Sequence, residues 1–209
     1  MLIAPIRVPD GRLAGSDIDP SMSRWAPRLE ENLPGSAGRQ LDASYRERAM
    51  LSDGTSVALR PIGPADGPLL QACLEQLSDR SWYLRFHSPR AEFSGDVLRY
   101  FNAVDGEMHF ALAAFAPSSR RLVAVGQFIR GGAAFAAEIA LVVADALQGK
   151  GLGLLLISRL REAALERSVT RFTGSVLEEN HPMRDLLRKL GARVGLPSRG
   201  VCEIELALA

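Results

Sequence analysis

Two features of the chain have the residue types and spacing for chemistry. The run Gln148-Gly149-Lys150-Gly151-Leu152-Gly153 lies between an apolar, strand-like stretch, Ala134 to Ala144, and an amphipathic, helix-like stretch, Leu152 to Arg167. Glycines let the backbone approach a ligand closely, and the N–H groups that open a helix are unpaired and carry positive partial charge. Strand, glycine turn and helix together make a cradle for a pyrophosphate. Ten residues before Gln148, Glu138 interrupts the apolar run Phe135 to Val143. By alternation it shares a face with Ala136, Ala140 and Val142, which supply no cation to hold it ionised. A carboxylate in a poorly solvated site has a raised pKa and can accept a proton. A solvent-facing glutamate on a half-buried strand is the alternative.

These residues need elements to position them. Apolar periodicity begins at Thr55, with a strand through Val57 and Leu59 that Pro61 stops. Pro64-Ala65-Asp66 opens a helix through Leu70, Cys73, Leu74 and Leu77. A second short helix follows Ser78 and carries Trp82, Tyr83 and Phe86, and a third follows Ser94 with Val97, Leu98 and Phe101. Strands over roughly His109 to Ala116, Leu122 to Ile129 and Ala134 to Ala144, with turns at Pro117-Ser118-Ser119 and Gly131-Gly132, predict an antiparallel meander. After the glycine run, Leu152, Leu155, Leu156, Leu160, Ala163 and Ala164 form one helical stripe. A strand over Thr170 to Leu177 leads to a second stripe, Met183, Leu186, Leu187 and Leu190. Asn180 is its N-cap, Pro182 lies in its first turn, and Gly191 is the stop. Val201 to Leu208 closes the chain with an alternating strand. The expected architecture is α/β (α+β): a mixed central sheet of about six or seven strands flanked by helices, antiparallel first and parallel around the glycine turn.

Residues 1–44 read differently. Pro5, Pro9, Pro20, Pro27 and Pro34 recur among glycines with weak periodicity, as an irregular arm with one short helix near Arg24 to Asn32. The domain is expected over 45–209. The 209 residues, 47% hydrophobic, suffice for one good-sized core, and a net charge of +1 without a Lys/Arg block argues against a general nucleic-acid binder. Apolar stretches are strand-length, so no membrane span is expected, and Met1 to Asp10 lacks the apolar core of a secretory signal. Cys73 and Cys202, far apart and without CxxC spacing, fit packing in a reducing cytoplasm. His87, His109 and His181 show no metal-ligand spacing, so no metal is expected.

Several nucleotide sites use glycine turns. A Walker loop requires GxxxxGK[ST], and Lys150 is followed by Gly151. A dinucleotide fingerprint would need glycine at position 154, which is leucine. Glu178 and Glu179 stand where a ribose-binding acid belongs, but only about 30 residues follow them. A purely structural turn is a further alternative. The run also fits the Q/R-x-x-G-x-G/A signature of the GNAT acyltransferases, and the resemblance covers about residues 55 to 209. Within that superfamily the chain is similar to the catalytic domain of bacterial Pat-type protein lysine acetyltransferases. The segments that carry the resemblance are Asp53-Gly54-Thr55 with Leu59-Arg60-Pro61-Ile62, Leu77-Ser78 with Ser81 to Phe86, Ala137 to Val143, and Glu179-Asn180-His181-Pro182-Met183. That family commonly carries a regulatory or synthetase-like domain, for which 44 residues are too few, so its control mechanism is not expected here.

The resemblance implies the GNAT fold, with a bulge or splay in the sheet beside the cofactor, and acetyl-coenzyme A as cosubstrate. It implies transfer of the acetyl group to a primary amine, on a protein lysine or a small molecule, with Glu138 as the general base. Backbone N–H groups of Gln148, Gly149, Lys150, Gly151, Leu152 and Gly153 would face the pyrophosphate, and Leu141, Val142 and Val143 would pair strand-like with the pantetheine amides. Lys150 is open between a charge contact and an ordinary surface lysine. Asn180 would bond the pantetheine arm while capping its helix. Tyr83, Arg85 and Phe86 would fall beside the acceptor groove; Arg85 is the candidate acceptor contact, and Trp82 and Phe86 are read as core anchors. Many members protonate the departing thiolate with a tyrosine, and none lies between Asn180 and Gly191. Water, Ser175 or His181 is left for that role. The alternative is a non-catalytic acyl-coenzyme A sensor. A monomer or homodimer in the cytoplasm, acting without nucleic acid or membrane, completes the expectation.

Overall fold

The computed structural model describes residues 40–89, 103–131 and 135–208. The expected helix near Arg24 to Asn32 and the one after Ser94 lie outside them. Among the described residues the chain forms an eight-stranded sheet in the order β1-β2-β3-β4-β5-β6-β8-β7. The strands are β1 (Glu47–Met50), β2 (Ser56–Pro61), β3 (His109–Phe115), β4 (Leu122–Arg130), β5 (Ala136–Val143), β6 (Arg171–Leu177), β7 (Arg193–Val194) and β8 (Val201–Ala207). The helices are α1 (Gly67–Glu75), α2 (Asp79–Phe86), α3 (Leu152–Glu166) and α4 (His181–Lys189). The sheet exceeds the expected six or seven strands through β1, which lies in a weakly patterned stretch, and the two-residue β7.

Strands β1 to β5 pair antiparallel in chain order, while β5 and β6 pair parallel. Two apolar layers cover the faces. One joins Leu59, Phe110, Phe128, Ile139, Leu141 and Val143 to Leu152, Leu156 and Leu160 of α3 and Met183 and Leu187 of α4. The other joins Ala111, Val125 and Val142 to Leu70, Cys73 and Leu74 of α1 and Trp82 and Leu84 of α2. Trp82 is buried with its ring 4.3 Å from that of Phe86, the anchoring role expected of the pair. Both cysteines are buried free thiols. Burial pushes the Cys73 thiol up to about 12, so it packs as a small hydrophobe.

Helix α3 lies so close to β4 that a Cβ on Gly126 would stand 2.7 Å from Leu160 Cδ1 and 3.2 Å from Leu141 Cδ1. A second anchor lies at the other end of the sheet. Arg159 of α3, 1% exposed, makes two 2.8 Å bonds to the Glu47 carboxylate of β1 and a 3.0 Å bond to Glu162. The Tyr45 hydroxyl also donates to Glu47. The chain joins this core before the expected boundary at residue 45. Leu41 is 1% exposed, its N–H donates to the Glu166 carboxylate, and its carbonyl accepts from Arg167.

Candidate active site

The site begins where a strand pairing stops. Strands β5 and β6 pair over three rows only, Ala136 with Arg171, Ala137 with Phe172 and Glu138 with Thr173. Beyond that row β5 follows β4 to Val143 and β6 follows β8 to Leu177, and the two diverge. This is the expected splay. The β4–β5 register runs without interruption, and the sheet's register shift lies instead between Ala114 and Phe115, against β4. In an antiparallel pair only alternate residues bond to the neighbouring strand. The rest of the β5 edge past Glu138 therefore turns its backbone groups into the gap.

Glu138 stands at the mouth of that gap, on the face it shares with Ala140 and Val142, as alternation predicts. It is exposed, in contrast to the poorly solvated setting expected from the apolar run. The strands part at its row, so the protein alone does not bury it. Leu141, Val142 and Val143 are each 1% exposed. The Val143 carbonyl is occupied, accepting from Gln148 Nε2 at 3.0 Å.

The glycine turn closes the far end of the gap. Gly149 and Gly151 take φ values of +75° and +87°, which side-chain-bearing residues adopt only under strain. The backbone ladder of α3 opens with Leu155 N–H to Gly151 O, so the amides of Leu152, Gly153 and Leu154 precede it. Leu152 and Gly153 are buried. Gln148 differs from expectation in its backbone, because its N–H is already given to Asp145 O at 3.2 Å. Its side chain donates to Val143 O and to Ser81 Oγ, both at 3.0 Å, and so latches the turn to β5 and α2. Lys150 pairs with Asp53 at 2.9 Å.

Sequence reasoning missed the residues behind this latch. The Asp145 carboxylate accepts from Ser78 N–H (3.0 Å), Ser78 Oγ (2.7 Å) and Ser81 Oγ (2.6 Å). Burial opposes its ionisation, but these bonds outweigh that effect and hold its carboxyl below the ordinary value. Ser78 is also the N-cap of α2, accepting from Ser81 N–H. An S-x-x-S cap is legible in sequence; its partner 67 residues away is not.

Asn180 caps α4 as expected, accepting from Met183 N–H at 3.4 Å, and is 1% exposed. Arg85, the candidate acceptor contact, is 1% exposed, with its guanidinium 5.1 Å from the Phe86 ring. Of the groups considered for the thiolate proton, Ser175 is 8% exposed on the same face of β6 as Thr173, whereas His181 is exposed on α4. Among the described residues no group of three or more His, Cys, Asp or Glu is placed to hold a metal ion, and no helix is long and apolar enough to cross a membrane.

The fold that holds this site is shared with known proteins. The model of the acetyltransferase (GNAT) family matches residues 72–192. The chain belongs to this family. Over 135 residues it is 33% identical to the acetyltransferase Pat of Mycolicibacterium smegmatis, an alignment that covers 64% of this chain and 40% of Pat. The chain thus spans less than half the length of that relative. The GNAT domain of S. lividans PAT superposes with a TM-score of 0.72 at 30% identity, covering 78% of this chain and 96% of that domain. A cAMP-binding acyltransferase from Mycobacterium smegmatis superposes with a TM-score of 0.57 at 28% identity, covering 79% of this GNAT chain and 48% of its own. The fold alone is shared with the Salmonella typhimurium protein yncA, solved with acetyl-CoA, at 18% identity and a TM-score of 0.59 over 73% and 94% of the two chains.

Proposed function

We propose that this GNAT chain is an N-acetyltransferase that moves the acetyl group of acetyl-coenzyme A to a primary amine, with Glu138 as general base. The catalytic unit is the domain from about residue 45, with Leu41 as its tether. One observation carries the reading: β5 and β6 part at the Glu138–Thr173 row, leaving a gap that ends at the free amides of α3. The diphosphate lies against the amides of Gly149 to Gly153, and the pantetheine arm adds to the β5 edge along Leu141 and Val142, with Asn180 beside it. The thioester then reaches the row of Glu138. Cofactor and acceptor seated in the gap would shield Glu138 from solvent.

In the reaction the amine nitrogen loses a proton to the Glu138 carboxylate and attacks the thioester carbonyl. The C–N bond forms, the C–S bond breaks, and the thiolate leaves as coenzyme A after taking a proton. Water, Ser175 or His181 is left to supply that proton. The acceptor amine is carried by a protein lysine or by a small molecule.

Release of free thiol from acetyl-coenzyme A, measured with and without lysine-bearing proteins and small amines, tests the activity. Glu138→Gln is expected to lower turnover at least about a hundredfold, the lower end of general-base effects, while acetyl-coenzyme A still binds. Full activity in that variant removes Glu138 from the mechanism. Binding without acceptor-stimulated release would favour a sensor, the reading that the absence of tyrosine from α4 supports.

A further inference from the structure

The Asp53-Gly54-Thr55 segment forms the turn between β1 and β2, about 100 residues from the glycine turn. The hairpin is tight: Leu51 N–H donates to Thr55 O at 2.8 Å, and Gly54, at φ +82°, donates to Leu51 O at 3.0 Å. Asp53 is fixed within it, its carboxylate accepting from Thr55 N–H and from Thr55 Oγ1, both at 2.9 Å. The same carboxylate reaches the Lys150 ammonium at 2.9 Å, while Ser52 N–H donates to the Lys150 carbonyl at 3.2 Å. The hairpin therefore grips Lys150 at its backbone and at its charge, between the two left-handed glycines. Both charged side chains are about a third exposed, 33% and 36%, so solvent and ligand can reach them. Lys150, foremost with Thr55, pulls the Asp53 carboxyl down to about 2, so it stays ionised at any working pH.

We infer that Asp53 is a resident anion of the cofactor site, which occupies Lys150 in the free protein and yields it to the diphosphate on binding. This rests on the acetyl-coenzyme A reading above. A diphosphate carries more charge than one carboxylate and so can take the lysine, but the ionised Asp53 stays beside it. Asp53 is thus a positioning residue whose charge opposes the ligand that its lysine attracts. Deleting Lys150 leaves Asp53 uncompensated next to the diphosphate. Deleting Asp53 gives the lysine wholly to the ligand. Charges of this kind in a partly hydrated site shift affinity by about three- to tenfold each, and salt screens the effect.

The test is coenzyme A binding by titration calorimetry to the full chain at low ionic strength. The proteins are wild type, Lys150→Met, Asp53→Asn and the double variant. Asparagine keeps an acceptor for Thr55 N–H, so the hairpin turn is retained. Lys150→Met is expected to weaken binding about tenfold and Asp53→Asn to tighten it about threefold. The double variant is expected to return to within about threefold of wild type, with all differences shrinking at high salt. Weaker binding by Asp53→Asn, or failure of Asp53→Asn to rescue Lys150→Met, overturns the inference while leaving the cofactor assignment intact. Salt-independent differences overturn it too, because they report altered structure. No coenzyme A binding by the wild type removes the cofactor assignment and this inference with it.

Discussion

The contact that ties β1 to α3 gives the sharpest stability prediction. In Glu47→Leu the Arg159 guanidinium stays buried at 1% exposure and loses the two 2.8 Å bonds that hold its Nε and one terminal nitrogen. Removing one partner of a buried ion pair costs about 3–5 kcal/mol, because the remaining charge is left uncompensated. Glu162, at 3.0 Å and 37% exposed, still neutralises part of that charge, which places the loss near the lower limit. The Tyr45 hydroxyl also loses its acceptor, adding about 1 kcal/mol. A total of about 4 kcal/mol lowers the midpoint of thermal unfolding by roughly 8–16 °C for a chain of this size. Circular dichroism melts and urea titrations of the two proteins measure it. Removing both charges in Glu47→Leu/Arg159→Met is expected to recover most of the loss, since a packed apolar pair avoids the desolvation cost of the ion pair. A single variant within about 1 kcal/mol of wild type, or a double variant less stable than the single, refutes the reasoning.

Two further predictions concern the site's supports. Gly126→Ala places a methyl 2.7 Å from Leu160 Cδ1 and is expected to destabilise by about 1–3 kcal/mol, read from the urea midpoint; an unchanged midpoint means that α3 shifts freely over β4. Asp145 titrates below the ordinary carboxylate value of 3.8 because Ser81 and Ser78 stabilise its anion against the burial that opposes it. A depressed pKa contributes stability that is present above the unfolded value and lost as pH falls through the folded one. The stability difference between wild type and Asp145→Asn is therefore expected to hold constant above about pH 5 and to shrink below about pH 4. A difference that stays flat down to pH 3 would contradict it.

What the sequence made legible is what obeys local rules. The helix after Ser78, the glycine turn, the Asn180 cap and the period-2 run of β5 each follow from residues within a few positions of one another, and each stands where the spacing placed it. Glu138 is on the predicted face because alternation is a backbone property. Its exposure was one of two readings the sequence left open, because it depends on where β6 leaves β5, a contact between strands about 35 residues apart. The burial of Arg85 was not legible for a related reason: only tertiary packing puts it at 1% exposure. The hairpin tip at Asp53 was visible as a segment of the resemblance but carried no role. A turn aspartate bonded to Thr55 looks complete until the fold brings Lys150 to it.

The position of the chemistry follows from the one parallel pair in the described sheet. Antiparallel neighbours can be joined by tight turns, but β5 and β6 need a crossover, and α3 supplies it. A crossover helix starts at the carboxyl end of its strand, so its free amides lie just beyond Val143. Had β5 and β6 stayed paired along their whole length, those amides would face the end of a closed sheet, and the β5 edge would be spent on β6. Because pairing ends at Glu138, the same residues present an open strand edge that leads from a carboxylate to a helix N-terminus. The turn that joins them is rich in glycine and could not hold its shape by itself. Ser81 and Asp145 fix it through Gln148 from one side, and Ser52 fixes it through the Lys150 carbonyl from the other. The latch from α2 also ties the proposed cofactor turn to the helix beside which the acceptor is expected. Loosening the Asp145–Ser81–Gln148 contacts should therefore disturb acceptor and cofactor affinity together, whereas Asp53 should act on the cofactor alone.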